Sequence, residues 1–126
     1  MDAFDTLIRM DPENGLYPIY INNEYDTPKF ASSQISLGAM GDSFYEYLLK
    51  VWLQGGKQES HYRQTYDKSI DGIMRVLVQK SSINKLTYIA EANGGTISKK
   101  MDHLTCFLPG KSFSYRILNI TVKAVF

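Results

Sequence analysis

A chain of 126 residues with fourteen basic and thirteen acidic side chains, a net charge of +1 and a single cysteine is one domain or part of one. If it folds alone it can bury about two thirds of its extended surface. The charges form no block of one sign, which argues against a nucleic-acid partner; the lone cysteine excludes an internal disulfide framework and a zinc cluster; and no apolar run is long enough to cross a bilayer.

The N-terminal stretch "DAFDTLIRM" lacks the basic and apolar regions of a signal peptide, so this chain carries no targeting signal of its own. It reads as the end of a helix, which Asp11-Pro12 and Asn14-Gly15 stop and turn. "LYPIYIN" and "SSQISLG" then read as two short strands of one hairpin around "NNEYDTPK", with Pro18 confining the first to an edge or a strand start.

From Ser43 the apolar period lengthens from two to about 3.6. Phe44, Leu48 and Trp52 share a stripe with Tyr45 and Leu49 beside it, and Gly55-Gly56 supplies the stop. Ser43 and Glu46 have the spacing of a capping box, and Glu46 and Lys50 that of a helical ion pair. Tyr62, Tyr66, Ile70, Ile73, Met74 and Leu77 predict a second helix over 59–80, antiparallel to the first. Beyond it, "LTYIAE" and "TISKKMD" flank Ala92-Asn93-Gly94-Gly95, which predicts a hairpin whose Asn-Gly pair takes the positive φ angles of a primed turn. The order is strand pair, helix pair, strand pair.

On local chemistry Asp42 has two readings. One residue before the predicted cap, its charge favours the helix start by about 0.3–1 kcal/mol, which accounts for it without catalysis. Alternatively, Gly38 and Gly41 turn the backbone sharply and keep the space beside Asp42 clear, suiting the carboxylate to accept a proton. His103 and Cys106, three apart, have the makings of a nucleophile pair but no third orienting group. Asp102 and His103 have no further ligands at metal-binding spacing, so no metal site is predicted. Nine tyrosines and 13% aromatic residues suit a carbohydrate site and equally a core. Asn119-Ile120-Thr121 fits the N-glycosylation triplet, which matters only in a lumenal compartment.

"GLYPIYIN", "ISLGAMGDSFYEYLLKVWLQGGK", "LTYIAE" and "KMDHLTCFLPG" occur in the order and approximate spacing of the class I α-1,2-mannosidases, glycoside hydrolase family 47, and "GDSFYEYLLK" is the most specific of them. The resemblance covers residues 1–110 and marks an internal segment of the catalytic domain. It implies a mainly α fold, a fragment of an (α/α)7 barrel of helices with short β-hairpins. The implied activity is hydrolysis of terminal α-1,2-linked mannose from high-mannose N-glycans with inversion, in the lumen of the endoplasmic reticulum or Golgi.

An inverting hydrolase needs one carboxylic acid to protonate the leaving oxygen and one carboxylate to activate water on the opposite face. By resemblance Asp42 is the middle of three acidic residues in the family site, and the other two lie outside this chain. His103 matches a position lining the sugar site. Met40, by the same resemblance a substrate-binding position, stands two before Asp42, where reticulum members carry Arg and Golgi members an apolar residue; that favours a Golgi-like specificity, whereas "KMDHLTCFLPG" is nearer the reticulum type, and the subclass stays open. The resemblance also implies Ca2+ in full-length members, with its threonine ligand absent from this chain. It further implies a partner for Cys106 beyond residue 126 and a membrane anchor only in a missing N-terminal segment. Residues 111–126, "KSFSYRILNITVKAVF", alternate like a strand, carry no family feature and read as a divergent tail. The alternative is a noncatalytic remnant that binds glycan or another protein.

Overall fold

The computed structural model describes residues 3–22 and 27–108. The alternating tail and the Asn119 triplet lie outside the described residues.

Helix α1 (Ala3–Arg9) ends where expected. Asp11 and Gly15 take positive φ, and the Gly15 amide closes a turn on the Pro12 carbonyl at 2.9 Å. The next segment departs from the simple hairpin. Strand β1 (Ile21–Asn22) pairs with β2 (Lys29–Phe30), but β3 (Gln34–Ile35) pairs with β6 (Glu91–Asn93), in the register Ile35 to Ala92 and Gln34 to Asn93. Among the described residues "SSQISLG" keeps one main-chain bond to the earlier strand region, from the Ile19 amide to the Gln34 carbonyl at 3.0 Å. Its ladder goes to a strand distant in sequence, because pairing there covers the apolar faces of Ile35 and Ala92.

Helix α2 (Asp42–Gln54) and helix α3 (Ser60–Gly72) pack side by side across a short connection. Gly56 and Lys57 supply positive φ within it. The buried line of α2 is Tyr45, Leu48 and Leu49. Phe44 and Trp52 are half-buried at its edges, and Trp52 lies under the guanidinium of Arg63, 5.1 Å from the ring centre. α3 answers with Tyr62, Tyr66 and Ile70. Much of the aromatic content goes into this core: the Phe44 ring lies 4.6 Å from Tyr17 and 5.3 Å from Phe4, separations at which tilted rings attract.

The second helix is shorter than its periodicity predicts. Ile73–Leu77 widens into a π-helical turn, and Val78–Lys80 is strand β4, paired antiparallel with β5 (Thr87–Ile89). Leu77 is fully buried, so the apolar period continues while the backbone changes state. The β-branched Val78 then finds a partner strand, which outweighs one more helical turn. "LTYIAE" is therefore split, its first part pairing backwards with β4 and only Glu91–Asn93 entering the predicted hairpin with β7 (Thr96–Ser98). That hairpin turns at Gly94 (φ 56°) and Gly95 (φ 82°), one residue later than the Asn-Gly pair predicts. No helix of the described residues is long and apolar enough to cross a membrane.

Candidate active site

The segment leading into α2 is built from main-chain bonds and close packing. The Gly38 carbonyl accepts the amides of Gly41 at 3.2 Å and Asp42 at 3.0 Å, closing a tight turn at the mouth of the helix. Neither Gly38 nor Gly41 has a positive φ; the left-handed residue is Met40, at 75°. A left-handed non-glycine residue costs about 1–2 kcal/mol, which the surrounding packing must offset. The glycines are required for space instead. A Cβ on Gly41 would fall on the Ser36 carbonyl oxygen, and one on Gly38 would lie 2.5 Å from both Cβ and Cγ of Asp102.

The capping box does not form as predicted. Helix α2 begins at Asp42, two residues earlier than a Ser43 cap implies, with Gly41 as its cap and no side-chain cap bond. Ser43 lies inside the helix, and its amide donates to Asp42 Oδ1 at 2.8 Å. Glu46 carries the predicted ion pair, 2.6 Å from Lys50 Nζ. Asp42 thus serves the helix start and is half-buried there. Its other carboxylate oxygen makes no hydrogen bond among the described residues.

The two other predicted site residues are both exposed. Met40 is 60% exposed and lines an open recess of about 430 Å³ with Phe4, Ser43, Phe44, Tyr47 and others. His103 opens a short 3₁₀ segment (His103–Phe107) with its side chain 89% exposed. Asp102 caps that segment, accepting the Leu104 amide at 2.8 Å, and its Oδ1 lies 3.7 Å from His103 Nδ1. Met40 and Asp42 therefore share one turn, and the His103 segment abuts that turn through Asp102 against Gly38. No hydrogen bond or ion pair among the described residues joins His103 to Asp42. Cys106 is exposed and free, with no bond to His103.

Two groups beneath the turn, Ser36 and Glu91, escaped the sequence reading, as did the packing of Asp102 on Gly38. The Gly38 amide donates to Ser36 Oγ at 3.0 Å, and Ser36 Oγ donates to Glu91 Oε1 at 3.0 Å. Ser36 is buried and the Glu91 side chain nearly so. A lone carboxylate inside the apolar run "YIAEA" was the available signal for Glu91; nothing local marked Ser36 or the packing of Asp102 on Gly38. Helix α2 is pinned from its buried face as well: the Tyr17 amide donates to the Tyr45 hydroxyl at 3.0 Å. Burial pushes Tyr17 up to about 12, with the nearby charge of Asp11 adding to it, and pushes Tyr45 up too.

A turn packed this closely around one aspartate gives the matches to known proteins their structural setting. The profile of glycosyl hydrolase family 47 fits residues 1–119. The chain belongs to that family. The mannosyl-oligosaccharide 1,2-alpha-mannosidase MNS1 of Arabidopsis thaliana is 50% identical over 101 residues, covering 79% of this chain and 18% of that protein. The endoplasmic reticulum mannosyl-oligosaccharide 1,2-alpha-mannosidase of Mus musculus is 46% identical over 99 residues, 78% of this chain and 15% of that one. Among solved structures, an alpha-1,2-mannosidase from Trichoderma reesei superposes with a TM-score of 0.62 at 32% identity, covering 66% of this chain and 17% of that one. The family 47 segment thus spans less than a fifth of each of these relatives. Its helices and short hairpins agree with the mainly α expectation. Among its described residues no group of three His, Cys, Asp or Glu side chains could hold a metal ion.

Proposed function

We propose that this family 47 chain supplies one catalytic carboxylate, Asp42, to an α-1,2-mannosidase that hydrolyses terminal mannose from high-mannose N-glycans with inversion. The chain would form part of an (α/α)7 barrel working in the lumen of the endoplasmic reticulum or Golgi. The observation that carries the reading is the family fit across residues 1–119, with the motif aspartate seated at a helix start in a turn packed too closely for side chains at Gly38 and Gly41.

Inverting hydrolysis uses two carboxyl groups, and about 6.5–9.5 Å between them leaves room for the attacking water. Asp42, held by the dipole of α2 and by the Ser43 amide, is suited to the ionised role: taking a proton from water, directly or through an intervening molecule, or stabilising the positive charge that develops on the sugar. The partner that protonates the leaving oxygen comes from the part of the domain outside this chain. Met40 and His103, both exposed beside the turn, are the sugar-facing groups, the imidazole bonding a hydroxyl and the thioether offering an apolar wall. Calcium, where full-length members use it, would be held outside these residues.

The test is mannose release from a high-mannose oligosaccharide by the 126-residue chain, with and without calcium, beside a full-length domain carrying the same segment. Release by the domain and none by the chain is the expected result. Turnover by the chain alone would overturn the two-carboxylate reading. An inactive full-length domain would instead favour a noncatalytic glycan-binding remnant.

A further inference from the structure

The turn that presents Asp42 is not held by its own residues alone. Its hub is Gly38, whose carbonyl accepts the Asp42 amide at 3.0 Å and whose amide donates to Ser36 Oγ at 3.0 Å. Ser36 Oγ can accept from Gly38 only while its own proton is directed elsewhere, and Glu91 Oε1, 3.0 Å away, takes that proton. Glu91 sits on β6, which pairs directly with the strand leading into Ser36. On the other side, Asp102 fills the space a Gly38 side chain would need.

We infer that Glu91 is a positioning residue for catalysis: through Ser36 it sets the hydroxyl that holds Gly38, and through Gly38 it fixes where the Asp42 carboxylate stands. This rests on the reading of Asp42 as catalytic. The energetic logic favours a fixed chain over a loose one. A buried hydroxyl left without an acceptor costs more than a made bond gains, so Ser36 has a strong preference for one rotamer while Glu91 is present. The weak partner of Glu91, Lys100 Nζ at 4.0 Å from Oε2, does not compete for Oε1. Small displacements of a reacting group cost disproportionately: about 1 Å of misplacement can cost about a hundredfold in rate.

The experiment uses a full-length domain carrying this segment, with Ser36→Ala, Glu91→Ala and Glu91→Gln. The expected result is that Ser36→Ala and Glu91→Ala each lower kcat by roughly ten- to a hundredfold with KM within about twofold, and that their combination costs little more than either alone, as for members of one chain. Glu91→Gln, which keeps an oxygen that can accept from Ser36, restores most of kcat. Hydrogen exchange over peptides spanning 37–43 should quicken by about tenfold in Ser36→Ala, while a peptide containing Leu48 is unchanged. A raised KM with kcat preserved would overturn the inference and make Glu91 a sugar contact. Glu91→Gln as impaired as Glu91→Ala, or unchanged exchange over 37–43, would also overturn it. Near-normal turnover in Asp42→Asn would remove the catalytic assignment instead, and the exchange measurement would still decide whether Glu91 and Ser36 hold the turn.

Discussion

Gly41→Ala probes how tightly the turn before Asp42 is closed. The added methyl would lie on the Ser36 carbonyl oxygen, 3.1 Å from the Ser36 carbonyl carbon and 3.3 Å from Ile19 Cγ2. A flexible side chain could swing away from such a clash, but this is backbone. Ser36 follows directly on β3, which is laddered to β6, and its hydroxyl is held by Glu91. Relief must therefore come from moving the turn itself, an overpacking cost of about 1–3 kcal/mol. Ala is also a poorer helix cap than Gly by up to about 1 kcal/mol. Gly55→Ala is the control: its methyl meets Glu59 Oε2 at 2.9 Å, the mobile end of a side chain, its nearest backbone atom is the Val51 carbonyl oxygen at 3.3 Å rather than an atom it would fall on, and its φ of −74° suits any residue. That change should stay within about 0.5 kcal/mol. Urea unfolding of the 126-residue chain, followed by Trp52 fluorescence and far-ultraviolet dichroism, reads both. Gly41→Ala within 0.5 kcal/mol of the parent, by the same about 0.5 kcal/mol surface tolerance, or less harmful than Gly55→Ala, would refute the close-approach argument.

Tyr45→Phe removes the acceptor of the buried Tyr17 amide and should destabilise the chain by about 1–3 kcal/mol, seen as a lower urea midpoint; no change would show that the amide finds another partner. Alkali should act through the same pair. Unfolded tyrosine ionises near 10, whereas burial holds Tyr17 protonated up to about 12 and raises Tyr45 as well. The contribution of the pair to stability is then constant below pH 10 and falls above it by about 1.4 kcal/mol per pH unit for each tyrosine, because the unfolded state has lost protons that the native state keeps. Urea midpoints at pH 8, 9, 10 and 11 test this, with Tyr45→Phe expected to flatten the decline; equal midpoints at pH 9 and 11 would contradict it.

Much of helix α2 was legible because its evidence is local: a 3.6 period from Phe44 to Trp52 and a glycine stop. Its start was misplaced by two residues because the Ser43 and Glu46 spacing fits a cap so well, while the first amides of the helix are taken instead by the Gly38 carbonyl and the Asp42 carboxylate. The π-helical turn at Ile73–Leu77 hid within an unbroken apolar period, since burial periodicity does not report the hydrogen-bond ladder. The pairing of Gln34–Ile35 with Glu91–Asn93 depends on strands far apart in the chain, which local turn signals cannot specify. The same distance explains the site. Asp42, Met40 and His103 were assigned through a family motif, whereas Glu91 and Ser36 come into view only because the sheet brings them under Gly38.

Whether the carboxylate of Asp42 performs chemistry is decided by Asp42→Asn in a full-length domain carrying this segment. Asparagine keeps the oxygen that can accept the Ser43 amide, so stability should fall by no more than about 1 kcal/mol, the worth of the charge at a helix start. Turnover of a high-mannose oligosaccharide should fall at least about a hundredfold, the lower bound for a positioned acid or base, with the dichroism spectrum unchanged. A folded Asp42→Asn enzyme with near-normal turnover would contradict the account and leave Asp42 as the residue that starts the helix.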